Sequence, residues 1–329
     1  MLPLVLLALA QPAPTADWAE TEAPFLSGHV QLTFRDRYTR AGEAYFSPNG
    51  GWIIFQAIES PREGAEPDPF YAMFVARLLR DDAGRITGID EPIRVSPPGS
   101  ANTCGWFDPA RPGMVLFGST LGRPADDQKS GFQVGTRRYV WMFPAEMEIV
   151  QRAVVPMLGL PVEGGTATST GQAMGLLREQ IAQLRARVDQ SSSLPGGFNP
   201  RAVELKSRLE MLNLDLAHLE ELAPHESAAT PVFTRPNYDA ECSYSEDGRF
   251  ILYAHVEDGK EGERPDANIY IYDTVSAKHY PIVVAPGYDG GPFFSPDGKR
   301  ITYRSDRKGN DLLQIFVADL KFENGVPVG

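Results

Sequence analysis

Cysteine and histidine are scarce in this chain of 329 residues, which has two cysteines and five histidines. Cys104 and Cys242 form no Cys-x-x-Cys motif and have no histidine at the spacing of a zinc site. No two of the histidines lie at metal-pair spacing; they are His29, His218, His225, His255 and His279. The sequence therefore predicts neither a metal centre nor a cofactor.

Positive charge is also in short supply, with 31 Lys and Arg against 43 Asp and Glu and a net charge of −12. The chain has no run of Lys or Arg, which binding to nucleic acid or to an anionic membrane surface requires. We therefore expect no nucleic-acid partner. The hydrophobic fraction of 42% and the charged fraction of 22% are typical of a folded, soluble protein.

Long apolar runs are absent, and the longest candidate lies at the amino terminus. Residues 2–9 are apolar and end in Ala8-Leu9-Ala10, a small-x-small pattern typical of signal-peptidase sites. The run is shorter than the roughly 20 residues of a membrane-spanning helix. We predict a signal peptide at 1–10, a linker at 11–27 and export to the periplasm or the cell exterior, without stable membrane insertion. No basic residue follows Met1, so an uncleaved apolar terminus is the alternative.

Export leaves two possibilities for the cysteines. An oxidising compartment would permit a disulfide between Cys104 and Cys242. The alternative, which we favour, is two small buried side chains in strands.

Gly and Pro are frequent, with 31 and 28 copies, and several of them lie in the turns of a sequence repeat. Four short segments resemble one another: residues 43–50, 104–111, 241–248 and 291–298. Each precedes a β-rich run, at 52–57, 114–119, 250–255 and 300–305. A second strand is predicted after each run, at 70–77, 138–143, 268–273 and 314–319. The repeating unit is therefore strand, turn, strand, loop, strand.

The turn of the repeat has a recognisable chemistry, because Pro fixes φ, Asp or Asn tolerates the third turn position and Gly accepts positive φ. A serine hydroxyl can cap the turn backbone. The predicted turn residues are Ser47, Pro48, Asn49 and Gly50; Asp108 and Pro109; Ser245, Asp247 and Gly248; and Ser295, Pro296, Asp297 and Gly298. An aromatic residue precedes each turn, and we expect these four to form a stacking core: Phe46, Phe107, Tyr244 and Phe294.

The last unit, residues 294–309, resembles the PD40 repeat of TolB-like propellers, and the other units match it more loosely. The resemblance covers residues 28–150 and 228–320. It implies an all-β, TolB-like β-propeller with four visible blade units, placed at 28–160 and 227–329. TolB itself resembles an α/β domain joined to a propeller, and no room for that domain exists before Gly28. Residues 29–34 look like an outer strand that could close the ring by pairing with the last blade.

Residues 161–226 lose the strand pattern, and we predict an inserted α-helical hairpin with helices at 171–188 and 199–222. Apolar residues step by three and four on both helices, which indicates an antiparallel coiled coil; they are Met174, Leu177, Ile181, Leu184 and Val188 on the first and Leu205, Leu209, Leu212, Leu216 and Leu219 on the second. Four apolar residues outside these seams are candidates for partner binding: Leu176, Met211, Leu214 and Leu222. The alternative is a hairpin that only covers the propeller.

Catalytic motifs are missing from the sequence. No Gly-x-Ser-x-Gly elbow is present, and Ser47, Ser245 and Ser295 belong to turns. The TolB resemblance implies a non-catalytic scaffold that binds protein partners of the cell envelope through propeller loops and the hairpin. One alternative is an envelope enzyme, or a saccharide- or peptide-binding propeller, with its site in the central channel. Another is a truncated propeller of a larger protein. The oligomeric state stays open.

Overall fold

The computed structural model describes residues 28–125, 130–134, 138–141, 143–162, 165–192, 200–257, 266–295, 297–305 and 314–327. The predicted signal peptide, the linker at 11–27 and Pro296 lie outside these residues. Neither helix in the described part of the chain is long and apolar enough to cross a membrane.

Strands dominate the chain. In order they are β1 (Tyr38–Phe46), β2 (Trp52–Glu59), β3 (Ala72–Arg80), β4 (Ile86–Ile89), β5 (Ile93–Arg94), β6 (Asn102–Phe107), β7 (Met114–Ser119), β8 (Gly131–Gln133), β9 (Arg138–Val140), β10 (Glu148–Ala153), β11 (Pro161–Val162), β12 (Gly165–Thr166), β13 (Thr230–Pro231), β14 (Tyr238–Tyr244), β15 (Phe250–Val256), β16 (Ala267–Asp273), β17 (Lys278–Val283), β18 (Asp289–Phe294), β19 (Arg300–Ser305), β20 (Gln314–Asp319), β21 (Phe322–Glu323) and β22 (Val326–Pro327). The described residues also contain 3₁₀ turns at Val155–Leu158 and Ala223–His225.

These strands form four larger antiparallel sheets, which we number in chain order. Sheet 1 has the order β1-β2-β3-β4, with β5 also pairing with β3, and sheet 2 has the order β6-β7-β10-β13. Sheet 3 has the order β14-β15-β16-β17, and sheet 4 has the order β18-β19-β20. The first strand of each sheet lies nearest its neighbours, since β6 contacts β1 and β14, and β14 contacts β18. This is the blade arrangement of a β-propeller, with the first strands around a central channel.

The core lies between successive sheets. Each interface contains a cluster of buried apolar residues: Ile54, Met73, Phe107, Phe117 and Val150 between sheets 1 and 2; Leu116, Ile149, Cys242, Ile251 and Tyr253 between sheets 2 and 3; Leu252, Ile269, Ile271, Ile301 and Tyr303 between sheets 3 and 4. All residues of β7 and β15 are buried, because neighbouring sheets cover both of their faces. Burial of each such large side chain contributes about 1.5–3 kcal/mol, so the blades stabilise one another.

A helical hairpin interrupts sheet 2 between its third and fourth strands. Its helices are α1 (Thr170–Ser192) and α2 (Pro200–Leu222), close to the predicted bounds. They run antiparallel, since Arg178 near the start of α1 pairs with Glu220 near the end of α2, Nη2 to Oε1 3.3 Å. The predicted seam is buried at Leu177, Ile181, Leu184, Val188, Leu205 and Leu219.

The base of the hairpin is attached to sheet 2. Leu177 and Leu222 pack in one cluster with Met114 of β7 and with Val155. Farther out, Leu184 and its neighbours form a cluster that contains hairpin residues alone. The hairpin therefore projects from the sheet and buries its outer seam against itself.

One predicted strand pairs outside sheet 2, and one predicted strand is wrong. The third strand of sheet 2 is β10, which pairs with β7, whereas residues 138–140 pair with β8 in a separate short hairpin. Residues 29–34 form no strand; Leu32 packs on sheet 1, whose outer edge is already completed by β4 and β5. Within the described residues, sheet 4 has three strands.

The aromatic residues before the turns do not all enter the core. Phe107 and Tyr244 are buried, whereas Phe46 is 64% exposed. Phe107 packs with Ile54 of sheet 1, and Tyr244 packs with Leu116 of sheet 2, so both contact the preceding sheet. No described sheet precedes sheet 1, so the expected stacking is wrong for Phe46.

Candidate functional site

The turn residues of the repeat are occupied by turn hydrogen bonds. The Ser47 hydroxyl accepts from the Trp52 amide at 2.9 Å and donates to Asn49 at 2.8 Å. Ser245 and Ser295 make the same pair of contacts in their turns, to Phe250 and Asp247 and to Arg300 and Asp297. In the second turn, Asp108 replaces serine and accepts from the Ala110 and Arg111 amides. These polar groups hold hairpins in shape.

A β-bulge interrupts the first strand of every sheet at one repeat position, four residues before the first turn residue. This bulge position holds Glu43, Cys104, Glu241 and Gly291, and the strand register shifts beside each. Cys104, Glu241 and Gly291 have φ of 45°, 55° and 58°. Positive φ is uncommon for residues other than glycine, and bulges re-aim side chains. Here they bring two carboxylates and a thiol together in the channel.

Glu43 and Cys104 contact each other across sheets 1 and 2. The Cys104 thiol donates to Oε2 of Glu43 at 3.1 Å, and the Tyr45 hydroxyl donates to the same oxygen at 3.3 Å. Burial, and next the Glu43 charge, raise the pKa of the Cys104 thiol well above its usual value. The thiol is therefore protonated at neutral pH and acts as a hydrogen-bond donor. Cys104 and Cys242 are both free.

Glu241 is held by sheet 4. Its Oε1 accepts from Arg304, and its Oε2 accepts from the backbone amide of Gly291. Tyr288 donates to both oxygens, at 3.2 and 3.3 Å. Burial disfavours the Arg304 cation, yet Glu241 and Tyr288 outweigh it and raise the guanidinium pKa. Gly290 and Gly291 leave the space for this network, since a Cβ on Gly290 would lie 2.7 Å from Oε2 of Glu241.

Three aromatic rings pack together on the turn side of the bulges. Tyr45, Trp106 and Phe293 lie two residues before their turns, and their ring centroids are 5.3, 5.7 and 6.2 Å apart. These rings come from sheets 1, 2 and 4. Ser243 holds the corresponding position in sheet 3.

The opposite end of the channel carries a second aromatic group. The segment between β7 and β10, which we call the entrance segment (described residues 130–134, 138–141 and 143–147), contacts Tyr71 just before β3 and Tyr238 at the start of β14. Trp141 packs near Tyr71, the residue before β3 of sheet 1, with ring centroids 6.2 Å apart. Phe143 packs against Tyr238 of sheet 3 at 5.1 Å and Tyr288 beside sheet 4 at 6.1 Å. Trp141 is 53% and Phe143 39% exposed, so both rings present surface to solvent.

The channel carries charge as well as aromatic surface. Arg304 neutralises Glu241, whereas exposed Glu43 has no ion-pair partner among the described residues. In the described part of the chain, no group of three or more His, Cys, Asp or Glu is arranged to hold a metal ion. The arrangement can therefore bind a group with a positive charge and an apolar or aromatic portion.

Sequence reasoning missed this site. Glu43, Cys104, Glu241 and Gly291 stand first in the four aligned segments, so their common offset was visible. The signal was the shared first position of these segments. Neither the bulge nor the entrance segment is marked by a sequence motif.

The predicted partner-binding residues of the hairpin divide into two groups. Met211 and Leu214 are 65% and 71% exposed on α2, and Leu176 is half-buried. Leu222 is fully buried against sheet 2, so its assignment to a docking face is wrong. It is the last residue of α2, where the helix meets the sheet. The hairpin and the channel entrance are separate surfaces that attach to the same sheet.

Comparisons with known proteins give partial similarities. No family model matches the chain. Dipeptidyl-peptidase 5 from Porphyromonas gingivalis is 42% identical over 86 residues, which are 24% of this chain and 12% of that protein. A putative TolB from Agrobacterium tumefaciens has a TM-score of 0.40 at 11% identity, with 88% of this chain and 64% of that one covered. The β-propeller domain of the Trilobed protease from Pyrococcus furiosus has a TM-score of 0.35 at 10% identity, with 90% and 57% covered. The chain thus spans less than two thirds of each of these proteins.

Proposed function

We propose that the protein is a non-catalytic, exported scaffold, a TolB-like propeller of four PD40-type blade units that binds protein partners of the cell envelope. The observation that carries the proposal is the pair of exposed aromatic rings at the channel entrance, Trp141 and Phe143. Exposed Trp and Phe side chains beside fixed polar groups are typical of protein-binding hot spots.

The entrance also suggests what the partner presents. Glu43 offers an exposed carboxylate on the first strand of sheet 1, held on one side by the Cys104 and Tyr45 donors. A partner segment with a Lys or Arg side chain would place its charge at Glu43 and its apolar atoms against Trp141 and Phe143. The coiled-coil hairpin would supply a second contact through Met211 and Leu214.

A channel enzyme is the second candidate, because two carboxylates converge there. Its chemistry has less support, since the Cys104 thiol is protonated and Arg304 compensates the Glu241 charge. A catalytic nucleophile would need a lowered thiol pKa, and a catalytic base would need a carboxylate without a compensating cation. A saccharide or peptide held in the channel without reaction is compatible with the same groups.

The test compares quantitative capture of envelope proteins by four forms of the chain: wild type, Trp141→Ser/Phe143→Ser, Met211→Ser/Leu214→Ser, and the control Val275→Ser. Val275 is 77% exposed and distant in sequence from both surfaces. We expect at least one protein that the wild type and the control both capture. The amount of this protein captured by the entrance variant should be at least tenfold lower. Loss with the hairpin variant would assign that surface too.

Equal capture by the entrance variant and the wild type would refute binding at the entrance. Circular dichroism of each variant separates loss of binding from loss of fold. Turnover of a peptide or saccharide library that disappears in Glu43→Gln would instead establish the enzyme.

A further inference from the structure

Two acidic residues, the half-buried Glu148 and the fully buried Asp239, lie at the interface between sheets 2 and 3. Glu148 begins β10 of sheet 2, and Asp239 lies in β14 of sheet 3. The two strands are joined there by a hydrogen bond from the Asp239 amide to the Met147 carbonyl, at 3.0 Å. Oε2 of Glu148 and Oδ2 of Asp239 are both buried without a hydrogen-bond partner among the described residues.

The other charged or titratable groups around the pair do not balance both carboxylates. His255 on β15 contacts Oδ1 of Asp239 through Nδ1 at 2.8 Å, and its Nε2 lies 3.7 Å from Glu257. The Arg235 guanidinium lies 3.9 Å from Oδ1 of Asp239 but is directed to Tyr253 and to the Tyr270 ring.

Two further polar groups lie near these residues. The Arg235 backbone amide donates to Glu148, and His279 on β17 bonds to Tyr253 at 2.8 Å. Arg235 and His255 both lie within 4 Å of Asp239, and no cation among the described residues forms an ion pair with Glu148.

Burial, and next the negative charge of Asp239, raise the pKa of Glu148 to about 7. Burial also raises the pKa of Asp239, while His255 opposes that change. A proton on the pair removes the repulsion between the two negative charges.

We infer that Glu148 and Asp239 hold one proton between them, and that this proton fastens the entrance segment to the first strand of sheet 3. The connection is short: Phe143 packs on Tyr238, the residue before Asp239, and Met147 precedes Glu148. Loss of the proton places two negative charges side by side where the segment joins β14. This proton-dependent contact makes the channel entrance respond to pH around neutrality.

The direction of the pH effect on stability follows from the linkage between protonation and folding. A carboxyl whose pKa is raised on folding contributes most stability below its ordinary value of 4.5, and the contribution is lost as the pH rises through about 7. Between pH 6 and pH 8 the opening equilibrium at this interface should therefore increase by about tenfold.

The experiment measures hydrogen exchange of the Asp239 amide at pH 6 and pH 8, corrected for the intrinsic exchange rate, in the full chain. Glu148→Gln keeps the shape and cannot titrate, so the tenfold increase should disappear. Glu323→Gln, an exposed carboxylate, is the matched control and should keep it. An unchanged increase in Glu148→Gln would overturn the inference.

A second measurement does not depend on that variant. The ¹³C carboxyl resonance of Glu148 should titrate with a midpoint near neutral pH in the wild type, and the midpoint should fall in Asp239→Asn. A midpoint near 4.5 in the wild type, or no change in Asp239→Asn, would also overturn it.

Discussion

Cys104 donates a hydrogen bond from Sγ to Oε2 of Glu43 over 3.1 Å and so joins the first strands of sheets 1 and 2. Both residues stand at the bulge position of their strands, where the backbone turns the side chains toward the channel. The positive φ of Cys104 is the conformation that permits this contact. Sheet packing and the polar lining of the channel are therefore coupled through one residue.

Replacement of Glu43 should make Cys104 more reactive. The Glu43 charge is the second cause, after burial, of the raised thiol pKa, so Glu43→Gln lowers that pKa and increases the thiolate fraction. We expect alkylation at pH 9 to accelerate about three- to tenfold. The assay uses iodoacetamide in a Cys242→Ser background, so that a single thiol is observed. Equal rates with and without Glu43 would show that the contact does not control the thiol.

Two phenylalanines at one repeat position should differ in their contribution to stability. Phe107 is 2% exposed between sheets 1 and 2, whereas Phe46 is 64% exposed. Phe107→Ala should cost about 3–5 kcal/mol of unfolding free energy, and Phe46→Ala less than about 0.5 kcal/mol. Urea denaturation of both variants measures the difference. Similar losses at the two positions would mean that Phe46 is covered in solution.

The repeat made the second strand of each sheet predictable. A turn with Ser or Asp first, followed by an apolar run, located β2, β7, β15 and β19 within one or two residues. β7 and β15 are apolar because neighbouring sheets cover both of their faces, whereas β19 alternates buried and exposed residues. Both patterns are local in sequence.

Nonlocal pairing was less accessible to sequence reasoning. Sheet 2 takes its fourth strand, β13, from beyond the helical hairpin, and residues 138–140 have strand chemistry yet pair with β8. The exposed position of Phe46 depends on which sheet precedes its own, and the motif around it carries no such information. The side chains that line the channel depend on bulges, and the φ values at these bulges are not predictable from the sequence pattern.

Gly105 should tolerate no side chain. A Cβ there would lie 2.6 Å from Cδ1 of Ile54 and 2.8 Å from Cε of Met73, inside the interface of sheets 1 and 2. Gly105→Ala should therefore destabilise the protein by about 1–3 kcal/mol through overpacking. Gly88→Ala is the control, because a Cβ there meets nothing within 4 Å. Thermal and urea denaturation should separate the two, and equal stability would place the core of this interface elsewhere.

Asp273 should make the protein sensitive to acid. Arg249 contacts both of its carboxylate oxygens, at 3.1 and 2.9 Å, and these bonds, together with the Val275 amide and the Ser276 hydroxyl, lower the Asp273 pKa. A lowered pKa contributes stability above the ordinary value of 3.8, and the contribution is lost as the pH falls below it. Between pH 4 and pH 2 the wild type should lose stability faster than Asp273→Asn. Parallel curves for the two proteins would contradict this assignment.

The ion pair of Glu241 and Arg304 should be worth more than a surface pair, because it is part of a network with Tyr288 and the Gly291 amide. The Arg304 side chain is 41% exposed, so solvent reduces its value below that of a fully buried pair. A double-mutant cycle with Arg304→Met and Glu241→Gln should give a coupling energy of about 1–2 kcal/mol. The pair of Arg77 and Asp90 has an N–O distance of 2.7 Å with side chains 57% and 49% exposed, and its cycle should give less than about 0.5 kcal/mol. If the two cycles agreed, the Arg304 pair would hold Glu241 no more strongly than an exposed pair holds its carboxylate.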